Sequence, residues 1–267
     1  TLAAERGASL MLLARSQQAL QRIREELSAG GATVDIAVVD VADRDALEVA
    51  AETCMRRHGR IDTWINNAGA AIYARLEEGT EEDHRRLFET NFWGVVNGRL
   101  VALPYLRRNG GALINLGSEL SEAVIPYQGM YAASKHAVKG FTDALRVEVE
   151  HVDEAGVSVT LIQPTAVNTP YPQHARNYMD REPKLPGLPI DPFQVAQAIL
   201  DAAVRGGRDI KVGAMASVDI AINQLLPTFG DRFAALQGAQ QQQDRPPVDP
   251  AGNLHRPTED GRVHGHA

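Results

Sequence analysis

The chain has 267 residues, 44% of them hydrophobic, a formal net charge of −7 and a single cysteine, Cys54. That is ample material for a core, and an acidic balance of interspersed charges excludes a nucleic-acid or polyanion binder. One cysteine excludes an internal disulfide and a cysteine-based zinc cage, and no run of about 18 apolar residues is available to span a bilayer. A reducing, cytoplasmic setting is expected, with no membrane partner. No metal is expected either: the eight histidines lack ligand spacing, and His255, His264 and His266 sit in a tail where solvation is the natural state.

Thr1–Arg6 reads as the last turns of a helix stopped by Gly7, from which we expect a segment before it. Ala8–Ala14 is an apolar run of strand length. Ser16 is an N-cap, and Ala19, Leu20, Ile23 and Leu27 recur at helical spacing until Gly30-Gly31. Val34–Val39 is the next strand, and Asp43 opens a helix with Ala46, Leu47, Ala50, Cys54 and Met55 on its buried stripe. Ile61–Ile65 is a strand running into Asn66-Asn67-Ala68-Gly69. Thr80-Glu-Glu-Asp83 is a capping box for one long helix through Leu87, Phe88, Asn91, Val95 and Leu100. Strand Ala112–Leu116, helix 131–152 and strand Val157–Ile162, halted by Pro164, follow. Residues 164–192 hold seven prolines and read as a long loop or lid. Asp191-Pro192 caps a helix through Val195, Ile199 and Val204, and Asp209–Val212 is a last short strand.

Strands alternating with helices at this rhythm imply a parallel sheet covered on both faces, an α/β doubly wound, three-layer αβα arrangement of Rossmann type. Residues 1–237 make one domain. The Gln- and Pro/Gly/Asp-rich remainder, 238–267, is expected to be disordered.

Tyr131-Ala-Ala-Ser-Lys135 carries the chemistry. Lys135 lies one helical turn after Tyr131, so both side chains point the same way. A phenol titrates near about 10, roughly three units above neutrality, and a nearby ammonium favours the phenolate by a comparable amount, about 4 kcal/mol. The pair is therefore a plausible acid/base device. Ser118 lies thirteen residues upstream, with Asn91 and Asn66–Gly69 earlier still.

In this order and spacing the chain resembles the short-chain dehydrogenase/reductase family over roughly residues 1–215. Asn66-Asn67-Ala68-Gly69 is similar to the family's motif behind the cofactor, Asn91 in Thr90–Gly94 to its helix asparagine, Ile114–Ser118 to its serine strand, and Tyr131-x-x-x-Lys135 to its acid/base pair. The family's first strand and glycine-rich turn, which cradles a pyrophosphate at a helix N-terminus, would precede residue 1. Without that strand two neighbouring edges would stand open. A second departure is Thr165, where the family usually has glycine.

The resemblance implies an oxidoreductase moving a hydride between a nicotinamide cofactor and a ketone or secondary alcohol. It makes Tyr131 the general acid/base, Lys135 its pKa-lowering neighbour and ribose contact, Ser118 a donor to the substrate oxygen, and Asn91 part of a water relay to Lys135. From the residue alone, Asn91 reads equally as a buried amide bonded to backbone. Asn67, Ala68 and Gly69 would back the cofactor, Asp40 and Val41 would meet adenine, and Pro164, Val167 and Thr169 would touch the nicotinamide carboxamide. An acidic residue ending the second strand would bind the adenosine ribose, but this chain has Ala14-Arg15-Ser16. Arg15 can fork onto a phosphate, so NADP(H) is expected over NAD(H). Helices 80–107 and 131–152 form the family's dimer face, so a homodimer or homotetramer is expected. Two rival readings are a non-catalytic nucleotide-binding protein on the same fold and a sugar-nucleotide epimerase or dehydratase. The second usually needs a larger C-terminal substrate region.

Overall fold

Short apolar runs and amphipathic stretches alternate along the chain, and the computed structural model gives each its element; it describes residues 1–258 and 261–265, apart from the side chains of Met215 and Ala239. The first half comprises α1 (Leu2–Glu5), β1 (Leu10–Ala14), α2 (Gln17–Ala29), β2 (Val34–Val38), α3 (Arg44–His58), β3 (Thr63–Asn66), β4 (Ile72–Tyr73), α4 (Glu81–Phe88) and α5 (Gly94–Asn109). The second comprises β5 (Gly111–Leu116), α6 (Gly129–Arg146), β6 (Val157–Pro164), α7 (Tyr171–His174), β7 (Arg176–Asn177), α8 (Pro192–Arg205), β8 (Asp209–Val212), α9 (Ala214–Leu225) and α10 (Pro227–Gly238).

The main strands are parallel and fall into two groups, β1-β2 and β3-β5-β6-β8, with β4-β7 a short separate pair. β5 shows how the layers arise. Successive side chains point to opposite faces. Leu113 packs with Leu47, Val101, Leu106 and Leu145, whereas Ala112, Ile114 and Leu116 pack with Val195 and Ala202 of α8. A strand buried on both faces is apolar along nearly its whole length, Asn115 being buried with hydrogen-bond partners, and the chain is a Rossmann-like αβα sandwich. The β1-β2 group and β3 are less enclosed: Val38 is 53% and Ile65 41% exposed. Among the described residues β1 pairs only with β2, and β3 only with β5.

The helices depart from the expected pattern in three places. The helix expected from Thr80 is interrupted by a π-turn, Glu89–Trp93, between α4 and α5, and α6 passes into another, Val147–Val152. Only half of the capping box forms. The Thr80 hydroxyl accepts from the Asp83 amide (3.2 Å), but the Asp83 carboxylate is taken by Arg176, Tyr178 and His255. The Thr80 amide turns instead to the Tyr178 hydroxyl (3.3 Å). α9 and α10 occupy a stretch without a clear apolar stripe, and Leu225, Leu226, Phe229 and Leu236 remain exposed.

The proline-rich loop carries only α7 and β7. Where disorder was expected after Gly238, the described residues follow a defined path. Leu254 is fully buried against Ala70, Ile72, Ala74 and Leu87, because backbone and side-chain partners on α7, β7 and α4 hold the segment around it. His255, expected in solvent, meets Asp83 (2.6 Å), and His264 lies 3.5 Å from Asp191. Glu259, Asp260, His266 and Ala267 lie outside the described residues.

Candidate active site

β5 ends at Leu116, and Ser118 follows as the cap of a single 3-10 turn, Glu119–Ser121. Its hydroxyl accepts from the Leu120 amide (3.1 Å), and Ser121 Oγ returns the favour to the Ser118 amide (3.1 Å). So pinned, Ser118 faces the first turn of α6, where the Ser118 and Tyr171 hydroxyls lie near enough to the Tyr131 phenol to favour its ionised form. The Tyr131 and Tyr171 rings meet edge to face at 5.5 Å, and the Tyr171 hydroxyl donates to Gln128 Oε1 (3.1 Å).

One turn along, Lys135 is buried, its Nζ 5.7 Å from the Tyr131 ring centre and donating to the Leu116 carbonyl (2.7 Å). The expected depression of the phenol pKa does not hold here. Burial pushes Tyr131 up to about 12, against the opposing effect of the Ser118 and Tyr171 hydroxyls, and the Glu119 carboxylate adds to the rise. Burial also brings Lys135 down to about 8, since an ammonium without full hydration favours its neutral form.

Asn91 is fully buried in the π-turn. It clamps Ala70 through both amide and carbonyl (2.7 and 3.0 Å) and donates to Ser134 Oγ (3.0 Å). Its direct bonds therefore go to the backbone behind Asn67–Gly69 and to Ser134, the residue before Lys135. That clamp still gathers the site: a methyl group on Gly69 would lie 3.7 Å from Asn91 Oδ1 and 4.0 Å from Lys135 Nζ. Asn67, Ala68 and Gly69 themselves are exposed at the end of β3.

A second centre lies past β1 and β2. Arg15 is partly buried, and its guanidinium donates to the carbonyls of Leu254 (3.0 Å) and Asn253. Arg86 of α4 pairs with Asp40 and donates to the same Leu254 carbonyl (3.2 Å). Burial and the neighbouring Arg86 charge lower the Arg15 pKa, and Asp40 opposes this. Ser16 caps α2 through the Ala19 amide (3.1 Å). Val41 packs against Gly94, and its carbonyl accepts from Asn97 (3.1 Å). Pro164 and the residues after it are set by other neighbours: Pro164 is in register with Val212, Val167 bridges to Ile190, and the Thr169 amide donates to the Val167 carbonyl (2.7 Å).

Two site residues escape sequence reasoning. Arg86 has no local signal, because its partner Asp40 is 46 residues away. Glu119 adjoins Ser118, but its environment is built by distant residues. Burial, with the Asp219 charge of α9 adding to it, pushes its carboxyl up to about 7, and the nearby Thr165 side chain opposes the rise. Thr165, which stands where glycine was expected, donates its amide to the Val212 carbonyl (3.0 Å) and turns its side chain toward Glu119. Among the described residues no group of three or more His, Cys, Asp or Glu side chains could hold a metal, and no helix is long and apolar enough to cross a membrane.

The donor set fits a nicotinamide dinucleotide: two guanidiniums facing one carboxylate at one end, and a buried ammonium beside a phenol at the other. Residues 1–180 match the family model for short chain dehydrogenase. The uncharacterized oxidoreductase YxnA of Bacillus subtilis is 37% identical over 235 residues, which cover 87% of this chain and 66% of that protein. The chain therefore spans just under two thirds of this relative's length. Among solved structures, an alcohol dehydrogenase of Thermococcus sibiricus complexed with 5-hydroxy-NADP is 28% identical, with a TM-score of 0.66, covering 78% of this chain and 86% of that one. A short chain dehydrogenase/reductase of Burkholderia phymatum in complex with NAD shares the fold at 23% identity, with a TM-score of 0.76, covering 93% of this chain and 90% of that one.

Proposed function

The chain belongs to the short-chain dehydrogenase family of oxidoreductases, and on that footing we propose that it moves a hydride between NADP(H) and a ketone or secondary alcohol, with Tyr131 exchanging the proton. The observation that carries this reading is the gathering of Ser118, the Tyr131 phenol and Lys135 in one place, with Lys135 buried and its Nζ 5.7 Å from the Tyr131 ring centre. In the reducing direction Tyr131 donates its proton to the substrate oxygen as negative charge develops there, and Ser118 donates a hydrogen bond to the same oxygen. A phenol held near 12 is protonated at neutral pH, as an acid must be. Lys135 places positive charge beside the phenolate left behind, which favours the step.

Asn67, Ala68, Gly69, Pro164, Val167 and Thr169 would hold the nicotinamide half of the cofactor, and Lys135 its ribose. Arg15, Ser16, Asp40 and Val41 would hold the adenosine half, joined by Arg86. When bound, the nicotinamide supplies or accepts the hydride. The preference for NADP(H) rests on Arg15, a forked cation where a ribose-binding carboxylate would otherwise stand. A small carbonyl or alcohol substrate and a homo-oligomer complete the reading; Trp93, Val147 and Val152 are exposed on or beside the helices that would pair.

The test is turnover by the full-length protein of a panel of ketones and secondary alcohols with NADPH and NADH. Arg15→Asp should move the NADPH/NADH preference toward NADH by about tenfold or more, the scale of a charge-assisted hydrogen bond. An unchanged ratio would remove the phosphate contact from the account.

A further inference from the structure

We propose that residues 249–258 form a strap over the adenosine end of the cofactor groove, so that strap and cofactor exclude one another; this rests on the cofactor reading above. Beyond α10 the backbone is anchored at Glu182, whose amide donates to the Arg245 carbonyl (2.9 Å) and whose carboxylate accepts from the Val248 amide (2.8 Å). It then joins β7 and α7: the Asn177 amide and Arg176 Nη1 both donate to the Pro250 carbonyl (2.9 Å each), and the Asn253 amide donates to the His174 carbonyl (2.7 Å). Leu254 drops into the pocket lined by Ala70, Ile72 and Leu87, immediately beyond the Asn67–Gly69 turn.

This seat delivers two carbonyls to the guanidiniums of the adenosine end. Arg15 receives those of Asn253 and Leu254, and Arg86 receives that of Leu254. Farther along, Gly261 lies against Ala19 and Arg22 of α2, and the Gly265 amide faces the Asn168 carbonyl (3.4 Å), next to Thr169. The strap thus meets Arg15 and Arg86 at the adenosine end, and Gly265 beyond it reaches the segment next to Thr169.

The contacts are of a kind that a nucleotide can replace. Carbonyls are neutral partners for a guanidinium, and a phosphate offers it charge and a matching fork. The strap buries one large apolar side chain, Leu254, and its other contacts are hydrogen bonds and the His255–Asp83 pair, so little apolar burial opposes its release. Nucleotide arrival at Arg15 would release Leu254, and removal of Leu254 would free Arg15.

In the full-length protein, Leu254→Asp should lower the dissociation constants of NADPH and NADH at least tenfold, and hydrogen exchange at the Asn253 amide of the unaltered protein should speed up when NADPH is added. A truncation after Asp244 repeats the affinity measurement should Leu254→Asp unfold, and a synthetic 248–258 peptide should weaken NADPH binding to it. Unchanged or weaker affinity in the folded variants, or slower exchange at Asn253 on adding NADPH, overturns the strap. A lost NADPH preference in Arg15→Asp tests the phosphate contact alone. Binding of neither nucleotide by any variant overturns the cofactor reading and the strap with it.

Discussion

At the scale of single residues, the phenol at 131 is governed by its surroundings more than by its own helix. Lys135 was legible four positions on, but the rings of Tyr73 and Tyr171 and the carboxyl of Glu119 arrive from other segments. Burial governs the phenol in the structure, and it rises to about 12 where the helical pair alone predicts a fall. Glu119 makes this testable. Its carboxyl ionises near pH 7, and above that pH its negative charge disfavours the phenolate. Glu119→Gln removes the charge, so the rise of alcohol oxidation with pH should move to lower pH, as read from the pH dependence of kcat. A profile that stays in place, or moves to higher pH, would show that Glu119 does not act on Tyr131.

At the scale of elements, the site depends on how closely α5 approaches β3. Asn66 accepts from Trp64 Nε1 (2.8 Å) and donates to Asn115 Oδ1 (2.8 Å), and Asn115 donates to Thr142 on α6 (2.9 Å). This polar line ties β3, β5 and α6 together beneath the acid/base pair. Gly98 lets α5 sit on it, because a methyl there would run into Asn66 Oδ1 and lie 2.9 Å from Trp64 Nε1. Gly98→Ala should cost about 1–3 kcal/mol by overpacking, lowering Tm by several degrees in a thermal melt, and should reduce turnover as well. An unchanged melt would mean that the approach is not tight. Strand and helix identities were legible here because apolar period and length are local. The π-turn that aims Asn91 at Ala70 was not: an asparagine inside an apolar stripe says that something needs it without saying what.

At the scale of the molecule, a two-faced parallel sheet puts Arg15, Asp40, Asn67–Gly69 and Ser118 past the carboxyl ends of its strands, where open α/β sheets bind ligands. That much follows from the alternation of runs and helices. The course of residues after Gly238 does not, because composition registers the scarcity of apolar residues and not the seat that one leucine finds. The fold is thus readable from pattern, and long-range partners decide the electrostatics of the site. The central claim is that Tyr131 carries the proton as the hydride moves. The measurement is nicotinamide absorbance during turnover by the full-length protein and by Tyr131→Phe, with cofactor affinity measured alongside. A loss of about 10²–10⁴ in kcat with cofactor affinity retained is the expected result; turnover that survives the loss of one hydroxyl would contradict it.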